Sequence, residues 1–188
     1  MGAAKQVRPL TLEEYLALER EAPVKHELVE GFPHAMAGAS DRHNRVVVNL
    51  VLALGPLARK RGCRLYASDM RLKVDAATVY YPDLMVVCEE DPGEYYKEKP
   101  CLVIEVLSDS TEAYDRGAKF DHYRKISSLR EYLMVSHRER LIERWWRDEN
   151  EEWRSERGGR GETLGLAAVG VMLAVDAVYD RSSLTRDL

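Results

Sequence analysis

The spacing of apolar and polar residues along the chain predicts three helices. Thr11 and Glu14 form a capping box, which opens the first helix over residues 11–20. Polar residues 40–41 cap a second, longer helix, and a third follows the polar residues 108–111. The apolar face of the second helix has the helical period and consists of Val47, Leu50, Val51 and Leu54.

Short runs of β-branched and aromatic residues, separated by polar turns, predict strands between these helices. The predicted strands lie in residues 25–36 (two strands joined near Gly31), 63–67, 70–74, 80–88, 101–108, 131–135, 140–146 and 152–154. The order of elements indicates an α+β fold with a mixed central sheet flanked by helices. We expect a single domain over residues 1–188, with its core at about 25–155 and a C-terminal strand segment at 163–180.

Two of the predicted strands each contain a carboxylate that a buried strand normally avoids. Asp83 lies in the apolar run 80–88 and Glu105 in the run 101–108. The polar loop between the runs suits two neighbouring strands, which would bring the two carboxylates to one point. Adjacent buried carboxylates need a cation, a metal ion or a shared proton.

The third predicted helix places a cation close to this pair. Asp115, Lys119 and Tyr123 follow one another at intervals of four and therefore share one helical face, roughly with His122. Lys119 lies one or two turns into the helix that follows the Glu105 strand, from where it can reach over the carboxylates. Taken alone, the Asp115–Lys119 spacing is equally that of a surface ion pair with little effect on stability.

The composition limits the possible functions. The chain is 45% hydrophobic and 32% charged, which is typical of a globular protein. Its formal net charge of −4 argues against a protein that binds nucleic acid by charge alone, but not against an enzyme that uses a divalent cation. The chain has no apolar run long enough to span a membrane, and residues 1–5 lack the apolar centre of a signal peptide, so we expect a cytoplasmic protein.

The cysteines and tryptophans allow more than one interpretation. Cys63, Cys88 and Cys101 have no paired spacing, which favours buried reduced thiols over a disulfide or a metal site. The tryptophans of residues 140–154 alternate with arginines. This pattern suits stacking on nucleic-acid bases, and it also suits packing across strands beneath solvated arginines.

Several motifs resemble those of known nucleases. Pro82-Asp83 followed by Glu105-Val106-Leu107 resembles the PD-(D/E)XK nuclease signature, with the usual lysine two residues after the acid replaced by Leu107. A longer ordered set of motifs, over about residues 10–180, resembles the Uma family of restriction endonuclease-like proteins. These motifs are Thr11–Tyr15, His26–Gly31, Ser40–His43, Pro82–Leu84, Glu105–Thr111, Asp115–Arg116 with Lys119 and Tyr123, and Glu131–Leu133.

The resemblance implies a restriction-endonuclease-like core with a divalent metal, Mg²⁺ or Mn²⁺, held by Asp83 and Glu105. It also implies that Lys119 replaces the missing strand lysine as a catalytic residue. Mg²⁺ prefers oxygen ligands and can activate water and polarise a phosphoryl oxygen, which agrees with the paired carboxylates.

The same resemblance extends the expected site beyond these three residues. It implies that Glu30 is a further catalytic acid near the metal, and that His43 and Tyr123 contact the substrate. Glu27 and Glu30 are three residues apart and face opposite ways in an extended segment, so only one of them can point at the site.

Three functions are compatible with these features. The leading hypothesis is a metal-dependent endonuclease that hydrolyses DNA, as a homodimer if the apolar C-terminal segment and the tryptophan-bearing strands form an interface. The second is a non-catalytic module that keeps the fold and binds nucleic acid or protein. The third is a metal-dependent enzyme that acts on smaller phosphate esters, since one fold hosts many functions.

Overall fold

A computed structural model of the protein describes residues 8–180. The ends of the predicted domain, and the N-terminal residues 1–5, lie outside this range. The helices are α1 (Leu12–Glu21), α2 (Asp41–Lys60), α3 (Glu112–Arg116), α4 (Ala118–Tyr123) and α5 (Val175–Val178). The strands are β1 (His26–Val29), β2 (Phe32–Ala35), β3 (Arg64–Ala67), β4 (Arg71–Lys73), β5 (Val79–Tyr80), β6 (Leu84–Val87), β7 (Tyr96–Lys97), β8 (Leu102–Val106), β9 (Glu131–Val135), β10 (Ile142–Arg147), β11 (Trp153–Gly158), β12 (Thr163–Leu166) and β13 (Val171–Ala174).

The central sheet has six strands in the order β11-β10-β9-β8-β6-β3. Strands β8 and β9 pair in parallel and the other neighbours pair antiparallel, so the predicted mixed sheet is confirmed. Helices α3 and α4 lie in the connection between the two parallel strands, since parallel neighbours need a long crossover. A second sheet has the order β2-β1-β5-β4-β7, and β12 pairs with β13 in a hairpin.

Apolar residues on the two faces of the central sheet form two separate cores. Along β8, Leu102 and Ile104 face the core that α2 covers, whereas Val103 faces the core that α4 covers. Strands β6 and β9 follow the same alternation because successive side chains of a strand point to opposite faces. Glu105 lies two residues after Val103 on the same face of β8, so its carboxylate points toward α4.

The first two predicted helix starts are confirmed by their caps, whereas Thr111 at the start of α3 makes no capping hydrogen bond with its side chain. Thr11 accepts the amide of Glu14, and the Glu14 side chain accepts the Thr11 amide, which completes the capping box of α1. Ser40 caps α2 by accepting the amide of His43. Gly62 follows the end of α2 with a φ of 76°, the left-handed conformation that a glycine adopts readily at this position.

Three predictions about elements were wrong in part. The run 80–88 is not one strand: it splits at Pro82 into β5 and β6, which belong to different sheets, since proline has no amide for a sheet ladder. The third helix is broken into α3 and α4 at Gly117. The C-terminal segment forms a hairpin and a short helix instead of one strand.

The prediction of three reduced thiols was also wrong. Cys63 and Cys88 form a disulfide, while the thiol of Cys101 is free. Cys63 precedes β3 and Cys88 follows β6, and the antiparallel pairing of these strands brings the two residues together. Spacing along the chain could not reveal this pair because the contact depends on strand order.

The tryptophan-bearing strands favour the packing interpretation. Trp145 and Trp153 lie against Phe120, with ring centroids 5.1 and 5.4 Å apart. The Arg144 guanidinium lies 4.4 Å from the centroid of the Trp146 ring. Cross-strand packing and cation–π contacts therefore account for the alternation of tryptophan and arginine. No helix within residues 8–180 is long and apolar enough to cross a membrane.

Candidate active site

Asp83 and Glu105 lie side by side because of the register of β6 and β8. Leu84 pairs with Ile104, which places the preceding Asp83 opposite the following Glu105. The Asp83 amide donates to Glu105 Oε2 at 3.3 Å, and the Val106 amide donates to Asp83 Oδ2 at 2.8 Å. The structure thus brings together the two carboxylates that the sequence selected, and backbone amides hold both.

Helix α4 places two further side chains on Glu105. Lys119 Nζ lies 2.9 Å from Glu105 Oε1, and the Tyr123 hydroxyl donates to the same oxygen at 2.6 Å. Both residues reach one atom because they are one helical turn apart. Leu107, which stands at the usual lysine position, is buried in the core, so the ammonium comes from the helix and not from the strand.

Glu27, not Glu30, belongs to this cluster. Glu27 Oε1 lies 3.2 Å from Lys119 Nζ and accepts the Tyr81 amide at 3.3 Å. Glu30 is exposed, in the turn between β1 and β2, with a φ of 51°. Sequence reasoning selected Glu30, but the structure brings Glu27 of β1 to the cluster and leaves Glu30 in the turn that follows this strand.

Asp115, whose spacing from Lys119 was equally compatible with a surface ion pair, belongs to the buried cluster. It is buried, and its Oδ1 lies 3.5 Å from Lys119 Nζ. Three carboxylates, from Glu27, Glu105 and Asp115, therefore surround one ammonium. The i, i+4 spacing indicated the contact with Lys119, but burial could not be read from it.

His43 and Tyr123, the predicted substrate-binding residues, contact the two carboxylates. His43 Nε2 lies 3.2 Å from Asp83 Oδ2, and burial of the imidazole is outweighed by the hydrogen bond and charge of Asp83, which raise the pKa of His43. Nδ1 of His43 is buried and has no hydrogen-bond partner within residues 8–180. Tyr123 is fully buried, so its hydroxyl supports Glu105 from the protein interior.

Burial controls the charges of the cluster. It raises the pKa of Glu105 to about 8, opposed by the Lys119 ammonium and assisted by Asp115 and Asp83. Burial also disfavours a charged Lys119, but Glu105, Glu27 and Asp115 together hold the pKa of this lysine well above its usual value. The ammonium therefore stays charged, and the surrounding carboxylates exceed it in number, which favours uptake of a proton or of a second cation.

Tyr80 forms the wall of the site next to Lys119, and the sequence analysis gave it no role. Lys119 Nζ lies 5.1 Å from the centroid of the Tyr80 ring. The Tyr80 hydroxyl is 2.6 Å from His122 Nδ1 and 2.7 Å from the Tyr114 hydroxyl. This chain of polar contacts fixes the ring on which the ammonium rests.

The cluster fits a hard divalent cation by the chemistry of its donors. Asp83 and Glu105 offer adjacent carboxylate oxygens, the ligands that Mg²⁺ prefers. Within residues 8–180, no three His, Cys, Asp or Glu side chains are arranged as a ready metal site. The Lys119 ammonium contacts oxygens of three of the carboxylates.

The chain is similar to a known protein family over most of its length. A family model described as "Putative restriction endonuclease" matches residues 12–176. An uncharacterised protein of Synechocystis sp. is 34% identical over 173 residues, covering 90% of this chain and 91% of its own length. A second uncharacterised protein of the same organism is 37% identical over 149 residues, covering 73% and 84%.

A solved structure shares the fold. The crystal structure of a putative nuclease belonging to DUF820, from Anabaena variabilis, superposes with a TM-score of 0.74 and covers 91% of this chain and 98% of its own. The two sequences are 17% identical, so the likeness is one of fold, and it confirms the predicted restriction-endonuclease-like core. With the family model matching most of its length, this chain belongs to the Uma2 family of restriction endonuclease-like proteins.

Proposed function

We propose that the protein is a nuclease that hydrolyses phosphodiester bonds of DNA with Mg²⁺ or Mn²⁺ as cofactor. The observation that carries this proposal is the pairing of half-buried Asp83 with buried Glu105, with Lys119 Nζ 2.9 Å from Glu105. The family to which the chain belongs, and the fold that it shares with the Anabaena protein, support a nuclease. The substrate and the metal are our inference from the chemistry of the site.

In this proposal Asp83 and Glu105 hold the metal ion. When bound there, the ion polarises a phosphoryl oxygen and lowers the pKa of a coordinated water. The protein's own part is to fix the two carboxylates, which the amides of Asp83 and Val106 do from the backbone. His43 supports Asp83 and Tyr123 supports Glu105, so that both acids keep their orientation.

Lys119 supplies a permanent positive charge next to the scissile phosphate. Its high pKa keeps the ammonium protonated at neutral pH, so it stabilises negative charge that develops on the phosphate and does not act as a base. Glu27 and Asp115 also contact the ammonium, at 3.2 and 3.5 Å, and thereby position it. Glu30 has no part in this arrangement.

The burial of the cluster favours catalysis over a non-catalytic module. Buried ionic groups are often less stabilising than apolar residues of the same size, so a chain that only needed the fold would lose nothing without them. The side chains of Glu105, Asp115 and Lys119 are each at most 7% exposed. A site that concentrates three such groups at one point is the arrangement expected of an enzyme.

Metal titration and DNA cleavage together test the proposal. We expect wild-type protein to bind Mg²⁺ in calorimetry and to nick supercoiled plasmid in its presence. Asp83→Asn, which keeps the size of the side chain, is expected to lower metal affinity and nicking by at least about 100-fold. Asp121→Asn is the matched control, because Asp121 lies on α4 and its side chain is 70% exposed.

Each alternative predicts a different result. Absence of turnover with Mg²⁺ and Mn²⁺ in the wild type would indicate the non-catalytic module. Hydrolysis of nucleotides or small phosphate esters, without nicking of plasmid, would indicate the smaller substrate. Nicking that survives Asp83→Asn would contradict the assignment of the site.

A further inference from the structure

The solvent-facing side of α2 is apolar at its middle, where a surface helix is normally polar. Val48 and Leu52, which are neighbours one helical turn apart, are 47% and 68% exposed. They belong to a row of residues at alternating spacings of four and three, which we name the outer seam of α2. The outer seam consists of Asp41, Arg45, Val48, Leu52, Gly55 and Arg59.

This spacing is that of a helix seam that packs against another helix. Intervals of four and three residues keep side chains on one stripe, and the same alternation forms the contact line of coiled coils. Leu50, at the middle of the helix, is fully buried against the protein's own core. The helix therefore uses one face for its own core and presents an equally regular second face to solvent.

Gly55 gives independent evidence that something approaches this face. Glycine weakens a helix interior, so its presence there normally serves the close approach of another group. A Cβ atom built at Gly55 would meet no atom within 4 Å, so packing inside the described chain gives no reason for the glycine. Pro56 beside it is exposed, and it donates no amide to the helix.

The charges of the outer seam are complementary to those of a second, antiparallel copy of the same helix. The seam begins with acidic Asp41 and ends with basic Arg59, which lie about 27 Å apart along α2 at 1.5 Å per residue. Asp41 already accepts a hydrogen bond from Arg45 Nε at 2.8 Å on the same helix. A second α2 that runs antiparallel, centred at the level of residue 50, adds Arg59 to this ion pair at both ends. The same register sets Val48 against Leu52, and Arg45 against the open space at Gly55.

We propose that the outer seam of α2 is the interface of a symmetric homodimer in which two α2 helices pack antiparallel. The occupant is a second copy of this chain, because the register that matches the apolar pair also matches both charges and aligns the helix dipoles favourably. The proposal does not depend on nuclease activity. The outer seam thus takes the place of the C-terminal segment and the tryptophan-bearing strands as the expected dimer interface.

Charge reversal tests this register directly by sedimentation equilibrium of the full chain. We expect wild-type protein to form a dimer of twice the chain mass, and Asp41→Arg and Arg59→Asp each to weaken it at least tenfold. A mixture of the two variants is expected to dimerise again, because each contact then joins an arginine to an aspartate. Arg154→Asp, on the exposed strand β11, is the control that leaves the dimer unchanged.

The recovered mixture also shows that both variants are folded. A second variant, Leu52→Asp, places a charge at the apolar centre and is expected to give monomers. A wild-type protein that is monomeric at all concentrations would overturn the proposal. A dimer that persists in Leu52→Asp, or a mixture that stays monomeric, would overturn it as well.

Discussion

Glu27 and Glu30 are only three residues apart, but one lies in the candidate site and the other on the surface. Glu27 contacts Lys119 and the Tyr81 amide, whereas Glu30 is exposed in the following turn. We expect Glu27→Gln to lower metal-dependent nicking by about tenfold or more, because the ammonium loses one of the groups that position it. Initial rates on plasmid measure the effect.

Glu30→Gln is the matched control, since the substitution is chemically the same and lies in the same hairpin. Its nicking rate is expected to equal that of the wild type. Equal losses in the two variants would contradict the placement of Glu27 in the site. A larger loss in Glu30→Gln would restore the original expectation from the resemblance.

The Lys119 ammonium offsets the energetic cost of burying the carboxylates around it. Removing one partner of a buried ion pair typically costs about 3–5 kcal/mol, because the other charge stays buried and unpaired. We therefore expect Lys119→Gln to lower the free energy of unfolding of the metal-free protein by about this amount in urea titrations. Added Mg²⁺ should recover part of the loss, because a bound divalent ion replaces the missing positive charge and stabilises the folded state by mass action.

Lys125→Gln provides the comparison, since Lys125 is exposed just beyond α4. Its unfolding curve should overlay that of the wild type. If Lys119→Gln were as stable as Lys125→Gln, the carboxylates would be neutral in the folded protein. The charge assignments of the site would then need revision.

At the scale of elements, local signals predicted what local interactions determine. The capping box at Thr11 and the apolar face of α2 both depend on residues close in sequence, and each was predicted correctly. The placement of Asp83 beside Glu105 was predicted from two apolar runs joined by a polar loop, and the pairing of β6 with β8 confirms it. These features suffice to place the two candidate metal ligands and the lysine.

Features that depend on strand order were not predictable in this way. The switch of the chain from one sheet to the other at Pro82 requires knowledge of which strands pair. The same holds for the Cys63–Cys88 disulfide and for the choice of Glu27 over Glu30. The burial of Asp115 also depends on how α3 sits against the sheet, which no spacing encodes.

The disulfide predicts a measurable effect on stability. Cys63 and Cys88 are 25 positions apart, and a link of this length restricts the unfolded chain by about 3–4 kcal/mol. Cys63→Ser is expected to lower the free energy of unfolding by up to this amount under oxidising conditions. The difference should disappear when the wild type is reduced.

Cys101→Ser separates the disulfide from the loss of a thiol. The Cys101 Sγ atom lies 3.2 Å from Cys88 Sγ but is not bonded to it. We expect this variant to stay close to the wild type in stability. A Cys63→Ser protein as stable as Cys101→Ser would show that the cross-link does not hold the strands.

For the whole molecule, net charge determines how DNA can be approached. The chain has a formal charge of −4, and its candidate site is itself rich in carboxylates. Phosphate contacts provide most non-specific affinity for DNA, so an acidic surface opposes binding. We expect a cleavage-resistant phosphorothioate duplex to bind at least about tenfold more tightly with Mg²⁺ than with EDTA, as measured by fluorescence anisotropy at physiological salt.

The Asp83→Asn variant decides whether this effect arises at the site. Its affinity should respond little to Mg²⁺, because the ion then lacks one of its ligands. An equal response in the variant and the wild type would assign the effect to ions around the DNA. Tight binding in EDTA would show that a basic surface outweighs the net charge.

Lys119 has a consequence that reaches past the chemistry of the site. Its ammonium contacts Glu27 on β1 of the five-stranded sheet and Glu105 on β8 of the central sheet. The two layers are thus linked through one side chain, and any ligand that tightens the cluster makes their separation less favourable. Amides in both sheets should then exchange their hydrogens more slowly, including those remote from the ligand. A ligand bound at this small polar cluster would in this way make both sheets more rigid at the same time.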